Sequence, residues 1–186
     1  DLVVFGRAAG LRCAETVSPG SGHAPFPEDS ADLALSRLDK FRNASGGTPT
    51  ARLRDDMQAT MQANCAVFRT TEILDEGHEK MHNIWGGSDD IATTDRGLIW
   101  NTDLIETMEY DNLISQAVVT MDSAWNRKES RGAHASEDHP ERDDKNWMKH
   151  TLAWVDEGKV TLGDRPVHDY TMTNDIDYIK PAKRVY

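Results

Sequence analysis

Apolar residues recur at steps of three and four through most of the first 125 residues, and beyond residue 148 they alternate with polar ones. The first rhythm is that of helices packed along one face, the second that of half-buried strands. Leu2, Phe5, Ala9 and Cys13 form the earliest stripe and predict a helix. Within it Gly6 and Gly10 read G-x-x-x-G. A dinucleotide-binding turn needs G-x-G-x-x-G after a strand, so the opening "DLVVFGRAAG" is a helix with a small-residue face rather than a strand and phosphate loop. With no methionine and no capping turn ahead of it, the run is expected to begin partway along an element.

Three prolines and two glycines in "SPGSGHAPFPEDS" (Ser18 to Ser30) predict a connector. Asp29 or Ser30 then caps a helix whose Leu35, Leu38 and Phe41 share a face, and "NASGG" ends it. "GGTP" offers Thr48 as the next cap and Pro49 as the first helical residue, followed by the stripe Leu53, Met57, Met61, Cys65 and Phe68. A further helix is expected from Thr71 to about Trp85, closed by "WGGSDD". The longest starts near Asn101, with Asp103 and Glu106 favourably placed in its first turn, and runs through Met108, Leu113, Ile114, Val118 and Met121 to Trp125. From Asn126 a charged stretch with little to bury reads as loop, and "KHTLAWV", "KVTLGDRPV" and "IKPAKRVY" then read as short strands. The fold class expected is mainly α: a helical bundle followed by a small C-terminal α+β subdomain.

Composition narrows the partners. The 186 residues carry 32 acidic against 21 basic side chains, a net charge of -11, and a mean hydropathy of -0.65. Nucleic acid and anionic lipid both demand a basic surface, so neither is expected. Cys13 and Cys65 have no metal or redox spacing and read as reduced thiols. No apolar run has the length of a membrane span, and the chain is expected to be soluble.

Two stretches carry candidate chemistry. "HEKMH" is a literal H-E-x-x-H at His78 to His82, the pattern in which two imidazoles hold zinc and Glu79 acts as base. Its flanks "LDEG" and "NIWGG" are polar, the histidine-bearing extension of the longer zinc motifs is missing, and an acidic third ligand is not specified. The expectation is two exposed histidines on a solvated face and no metal, with a zinc hydrolase kept as the alternative. The second stretch is "ESRGAHASEDHPERDD", Glu129 to Asp144. An Arg fork pairs bidentately with carboxylates, and Gly132 permits a backbone turn closed to other residues. Arg131, Gly132, His134, Asp138, Arg142, Asp143 and Asp144 are therefore candidates for docking or assembly, with Arg131 pairing across to another domain or to a neighbour such as Asp138 or Asp143.

"DLVVFGRAAG", "EYDNL" (Glu109 to Leu113), "ESRGAHASEDHPERDDKNWMKHTL" and the ending "PAKRVY" together resemble the C-terminal part of the succinate dehydrogenase and fumarate reductase flavoprotein subunits, the dehydrogenases more closely. The resemblance runs in order over the whole chain. It implies that residues 1–18 are the tail of a flavin-domain helix, 19–29 a connector, 30–125 the helical region and 126–186 the terminal subdomain. It further implies a parent that oxidises succinate to fumarate, passes a hydride to covalently linked FAD and sends electrons to an iron–sulfur subunit and quinone. The family's flavin-linking, proton-donating and dicarboxylate-gripping positions precede this segment, so no catalytic, cofactor-binding or metal residue is carried over, and the segment alone is expected to be inactive and without FAD. The implied partners are the rest of the flavoprotein subunit, the iron–sulfur subunit and a flavinylation assembly factor. Self-association through the first helix is also expected. The implied place is the cytoplasmic face of a bacterial inner membrane, peripheral through the complex. A stand-alone helical binding module is the alternative from another class.

Overall fold

A computed structural model of the chain describes residues 2–156 and 158–182. Two compact units divide at Arg37 and Leu38. In the first, helix α1 spans Leu2–Thr16 and buries nothing; Leu2 is 91% and Phe5 69% exposed, so its apolar stripe is uncovered. The proline-rich stretch that follows has no regular element apart from turns.

Helix α2, Asp32–Arg42, leads into the second unit. Of its expected stripe Phe41 is buried, whereas Leu35 is exposed. Strand β1, Thr48–Pro49, precedes α3, Thr50–Asn64, and α4 spans Thr71–Gly86. Strand β2, Ile91–Ala92, pairs in parallel with β1, and α5 follows at Thr102–Asn126. Helices α3, α4 and α5 pack on one another around Leu53, Met57, Leu74, Met81, Tyr110, Ile114, Val118 and Met121.

Local chemistry fixes these boundaries. Thr70 caps α4 by accepting the Ile73 N–H at 3.2 Å, and Asn101 caps α5 by accepting the Leu104 N–H at 2.8 Å. Thr48 does not cap α3: its hydroxyl donates to the Asp90 carboxylate at 2.9 Å, and Pro49 stands in extended conformation at the cap position. The α3 stripe also stops earlier than its letters suggest. Leu53, Met57 and Cys65 are buried, but the helix ends at Asn64, and Phe68 on the following irregular stretch is 74% exposed.

The terminal lobe holds a four-residue helix α6, Asp144–Trp147, and an antiparallel hairpin of β3, Lys149–Asp156, with β4, Lys159–Pro166. Gly158, at a φ of +73°, supplies the left-handed residue of the tight turn. The hairpin lies against α5, with Val160 packed on the core. The expected third strand is absent over residues 179–182, and the rest of "IKPAKRVY" lies outside the described residues.

Candidate functional site: the terminal-lobe latch and a His–His–Asp cluster

The charged stretch after α5 is organised around one carboxylate. Glu129 is fully buried, which nothing in its polar surroundings announces. Its Oε1 accepts from Arg127 Nη1 at 2.6 Å and from Arg131 Nε at 2.7 Å, while Oε2 accepts from Arg131 Nη2 at 3.1 Å and from the Asp143 N–H at 2.8 Å. Burial by itself would raise this carboxyl's pKa. The donors from Arg131, Asp143 and Arg127 outweigh that, and it lies below the ordinary carboxylate range. Arg127 continues outward to the carbonyls of Trp147 at 3.1 Å and Lys149 at 2.7 Å, so the same guanidinium holds the first residues of the hairpin.

Arg131 through His134 form a closed turn in which the two residues exchange backbone hydrogen bonds, with Gly132 at a φ of +60°. This reversal aims Arg131 back at Glu129. The guanidinium also donates to Asp144 Oδ1 at 2.6 Å, so its partners are Glu129 and Asp144 rather than the expected Asp138 or Asp143. Asp144 accepts from Arg142 at 2.7 Å, and Arg142 reaches the Ala182 carbonyl at 2.7 Å. Asp143 instead caps α6, accepting from the N–H groups of Lys145 and Asn146.

Asp138, His134 and the Glu137 N–H, which donates to the Arg69 carbonyl at 2.8 Å, tie this lobe to the bundle. Asp138 accepts the Thr71 N–H at 2.6 Å at the start of α4, a bond that lowers its carboxyl pKa. His134 lies between Arg69 Nη1, 2.8 Å from Nδ1, and the Arg127 carbonyl, 3.2 Å from Nε2. Arg69 has only hydrogens to offer, so Nδ1 is the acceptor and Nε2 carries the proton. Burial lowers the His134 pKa first, and the neighbouring Arg69 and Arg127 charges act the same way. Arg69, Arg127, Arg131, His134, Lys149 and His150 line one side of a cavity of about 510 Å³. The guanidiniums of Arg69, Arg127 and Arg131 are largely engaged by carbonyls, by the His134 ring and by the carboxylates of Glu129 and Asp144, so the arrangement is a closed latch of hydrogen bonds and ion pairs.

The "HEKMH" histidines are not on a solvated face. His78 and His82 are half-buried on α4, and both point at the buried Asp122 of α5, whose Oδ1 lies 3.4 Å from His78 Nε2 and 2.9 Å from His82 Nε2. One potential ligand atom from each of the three lies within 4.8 Å of the other two. His78 stacks on Trp125 at 4.3 Å between ring centroids, and His82 meets the edge of Trp85 at 5.9 Å. Asp122 sits 40 positions beyond His82, brought to the two rings because α4 and α5 lie side by side. Glu79 is exposed.

Residues 54–186 match the family described as the fumarate reductase flavoprotein C-terminal region. The chain is 54% identical over 187 residues to the succinate dehydrogenase flavoprotein subunit of Rickettsia bellii, covering 100% of this chain and 31% of that protein. It is 36% identical over 189 residues to the fumarate reductase flavoprotein subunit of Escherichia coli, covering 100% of this chain and 30% of that one. The FrdA chain of an E. coli quinol fumarate reductase variant superimposes with a TM-score of 0.80 at 34% identity, over 96% of this chain and 31% of that structure. The chain thus spans about a third of the length of the relatives it matches.

Proposed function

Because the chain belongs to the fumarate reductase flavoprotein C-terminal family, we propose that it is the C-terminal helical and latch region of a succinate dehydrogenase flavoprotein subunit. The observation that carries this reading is the 54% identity along the entire chain to a succinate dehydrogenase subunit, against 36% to a fumarate reductase subunit. In the proposed parent, succinate is oxidised to fumarate, FAD takes the hydride, and electrons leave through an iron–sulfur subunit to quinone. The complex is proposed to sit on the cytoplasmic face of a bacterial inner membrane, with a flavinylation factor acting during its assembly. No helix among the described residues is long and apolar enough to cross a membrane.

The described residues do not fit an FAD site of their own. Their strands form two two-stranded sheets, with no strand, glycine-rich turn and helix to cradle a pyrophosphate. No flavin step is therefore assigned to any side chain here. Expression of the full natural polypeptide with its partners is expected to give membrane-bound, succinate-dependent dye reduction and covalent flavin, while residues 1–186 alone retain no flavin and oxidise no succinate. Full-length protein without flavin or succinate oxidation, or a flavin band on the segment alone, overturns the proposal.

Several exposed apolar groups fit a segment covered by other protein. Val67 and Phe68 are 68% and 74% exposed, and Leu98, Ile99 and Trp100 form a projecting loop. The α1 stripe is a further such surface, and in the absence of a cover the segment is expected to self-associate through it. Sedimentation equilibrium checks this: Phe5→Glu should shift the segment toward monomer, and a wild-type segment that stays monomeric at high concentration contradicts it.

The same reading gives the latch a role in docking the terminal lobe onto the rest of the subunit. Arg131→Ala in the full polypeptide is expected to lower covalent flavin content, while the segment alone keeps its bundle helices because Glu129 retains Arg127 and the Asp143 N–H. Normal flavin content together with an unfolded segment dismisses the docking role.

A further inference from the structure

We propose that His78, His82 and Asp122 bind a borderline divalent metal ion, Zn²⁺ or a chemically similar ion such as Co²⁺, as a cross-link between α4 and α5. The donor set is that of zinc sites: two imidazoles one helical turn apart and one carboxylate from a facing helix. Ligands about 2.0–2.1 Å from a tetrahedral ion lie roughly 3.3–3.4 Å from one another. The His78–Asp122 distance of 3.4 Å already matches, and the His82–Asp122 distance of 2.9 Å needs only a small opening.

The three side chains stand on regular helices, and their surroundings restrict their rotamers. Trp125 stacks on the His78 ring, and its indole N–H is held by Asp75 Oδ1 at 2.6 Å. Trp85 borders the His82 ring. Walls of this kind keep first-coordination groups in place. One carboxylate and two neutral imidazoles present a single negative charge to the ion. His82 also lines a cavity of about 340 Å³ shared with Lys40, Asp89 and Asp111, which leaves space beside its ring for water.

In the structure His82 Nε2 is hydrogen-bonded to Asp122 Oδ1 at 2.9 Å, and His78 Nε2 stands 3.4 Å from the same oxygen. On metal binding each Nε2 offers its lone pair to the ion, so each neutral ring then carries its proton on Nδ1. Glu79 is exposed, so the inferred role is structural rather than hydrolytic.

The test uses the full natural polypeptide, stripped with chelator and titrated with ZnCl₂ or CoCl₂. One Zn²⁺ per chain is expected to survive gel filtration and raise the unfolding temperature. Co²⁺ is expected to give visible ligand-field bands and quench emission from the Trp125 that stacks on His78. His78→Ala and His82→Ala should each weaken binding more than about 100-fold, beyond the 10–100-fold typical of losing an outer-shell partner, whereas His139→Ala and His150→Ala should bind like wild type. X-ray absorption of the zinc-loaded wild-type protein should show imidazole scattering, a readout independent of whether the variants fold. Failure of the wild type to retain zinc, equal retention by His78→Ala and His82→Ala, or a zinc environment without imidazole overturns the proposal.

Discussion

Glu129→Gln is expected to lower the stability of the terminal lobe by about 3–5 kcal/mol, the range for removing one partner of a buried ion pair. The carboxylate is fully buried and accepts four hydrogen bonds, three of them from guanidiniums. An amide of the same shape offers one acceptor oxygen and turns an NH₂ toward cations that can only donate. Arg127 would then keep its carbonyls in the hairpin but lose its ion pair, and Arg131 would keep only Asp144. Hydrogen exchange should therefore rise through β3 and β4 before it rises in α3 to α5. A Glu129→Gln protein with wild-type protection in the hairpin would show that the carboxylate is not what holds the lobe.

The same residue predicts a pH dependence with a definite sign. Its pKa is depressed in the folded state, so its contribution is complete above the unfolded value of about 4.3 and is lost as pH falls through the lower folded value. The stability gap between wild type and Glu129→Gln should accordingly be constant near neutrality and narrow in acid. Asp138, Asp143 and Asp144 are also depressed and titrate in the same direction, so the lobe as a whole is expected to loosen on acidification. Taking the difference between the two proteins isolates the part that belongs to Glu129.

Most helices were legible because their signals are local. Thr70 and Asn101 precede apolar stripes and cap them as their side chains allow, and two Val- and Thr-rich alternating runs became the hairpin. The α3 stripe misled at Phe68 because a period in the letters continues whether or not the helix does. Thr107 and Tyr110 were missed on α5, since a hydroxyl reads as polar although both side chains are fully buried and find partners in Thr50 and Ser88. Pairing of Arg131 with neighbouring carboxylates was one of two readings left open, and which carboxylates was illegible for a geometric reason: the Gly132 turn points the guanidinium backward along the chain, toward a glutamate whose burial no local pattern reveals. The histidine cluster was illegible because it depends on the register of α4 against α5, which brings one of many carboxylates to the two rings.

That register rests on Gly77, and Gly77→Val is expected to cost roughly 3 kcal/mol or more, at or above the upper end of overpacking penalties in cores. The glycine lies in the middle of α4, where it sacrifices about 1 kcal/mol of helix propensity relative to alanine. Its return is close approach. A Cβ at this position would lie 2.5 Å from Asn64 Cβ and 2.8 Å from Met121 Cε, so α3 and α5 both come too near for any side chain. Alanine regains the propensity but meets the same two atoms, and Gly77→Ala is expected to destabilise by about 1–2 kcal/mol, with valine worse because its branch has nowhere to go. Asn64 Cβ belongs to a helix position and cannot rotate away, whereas the Met121 terminus can. The clash with Asn64 should therefore dominate, and Asn64→Gly should recover part of the loss in Gly77→Ala beyond what the two single changes predict. Urea unfolding of the four proteins measures this directly. A Gly77→Ala protein as stable as wild type, or additive single effects, would mean that α4 slides to make room, and the Asp122 carboxylate would then leave the reach of His78 and His82.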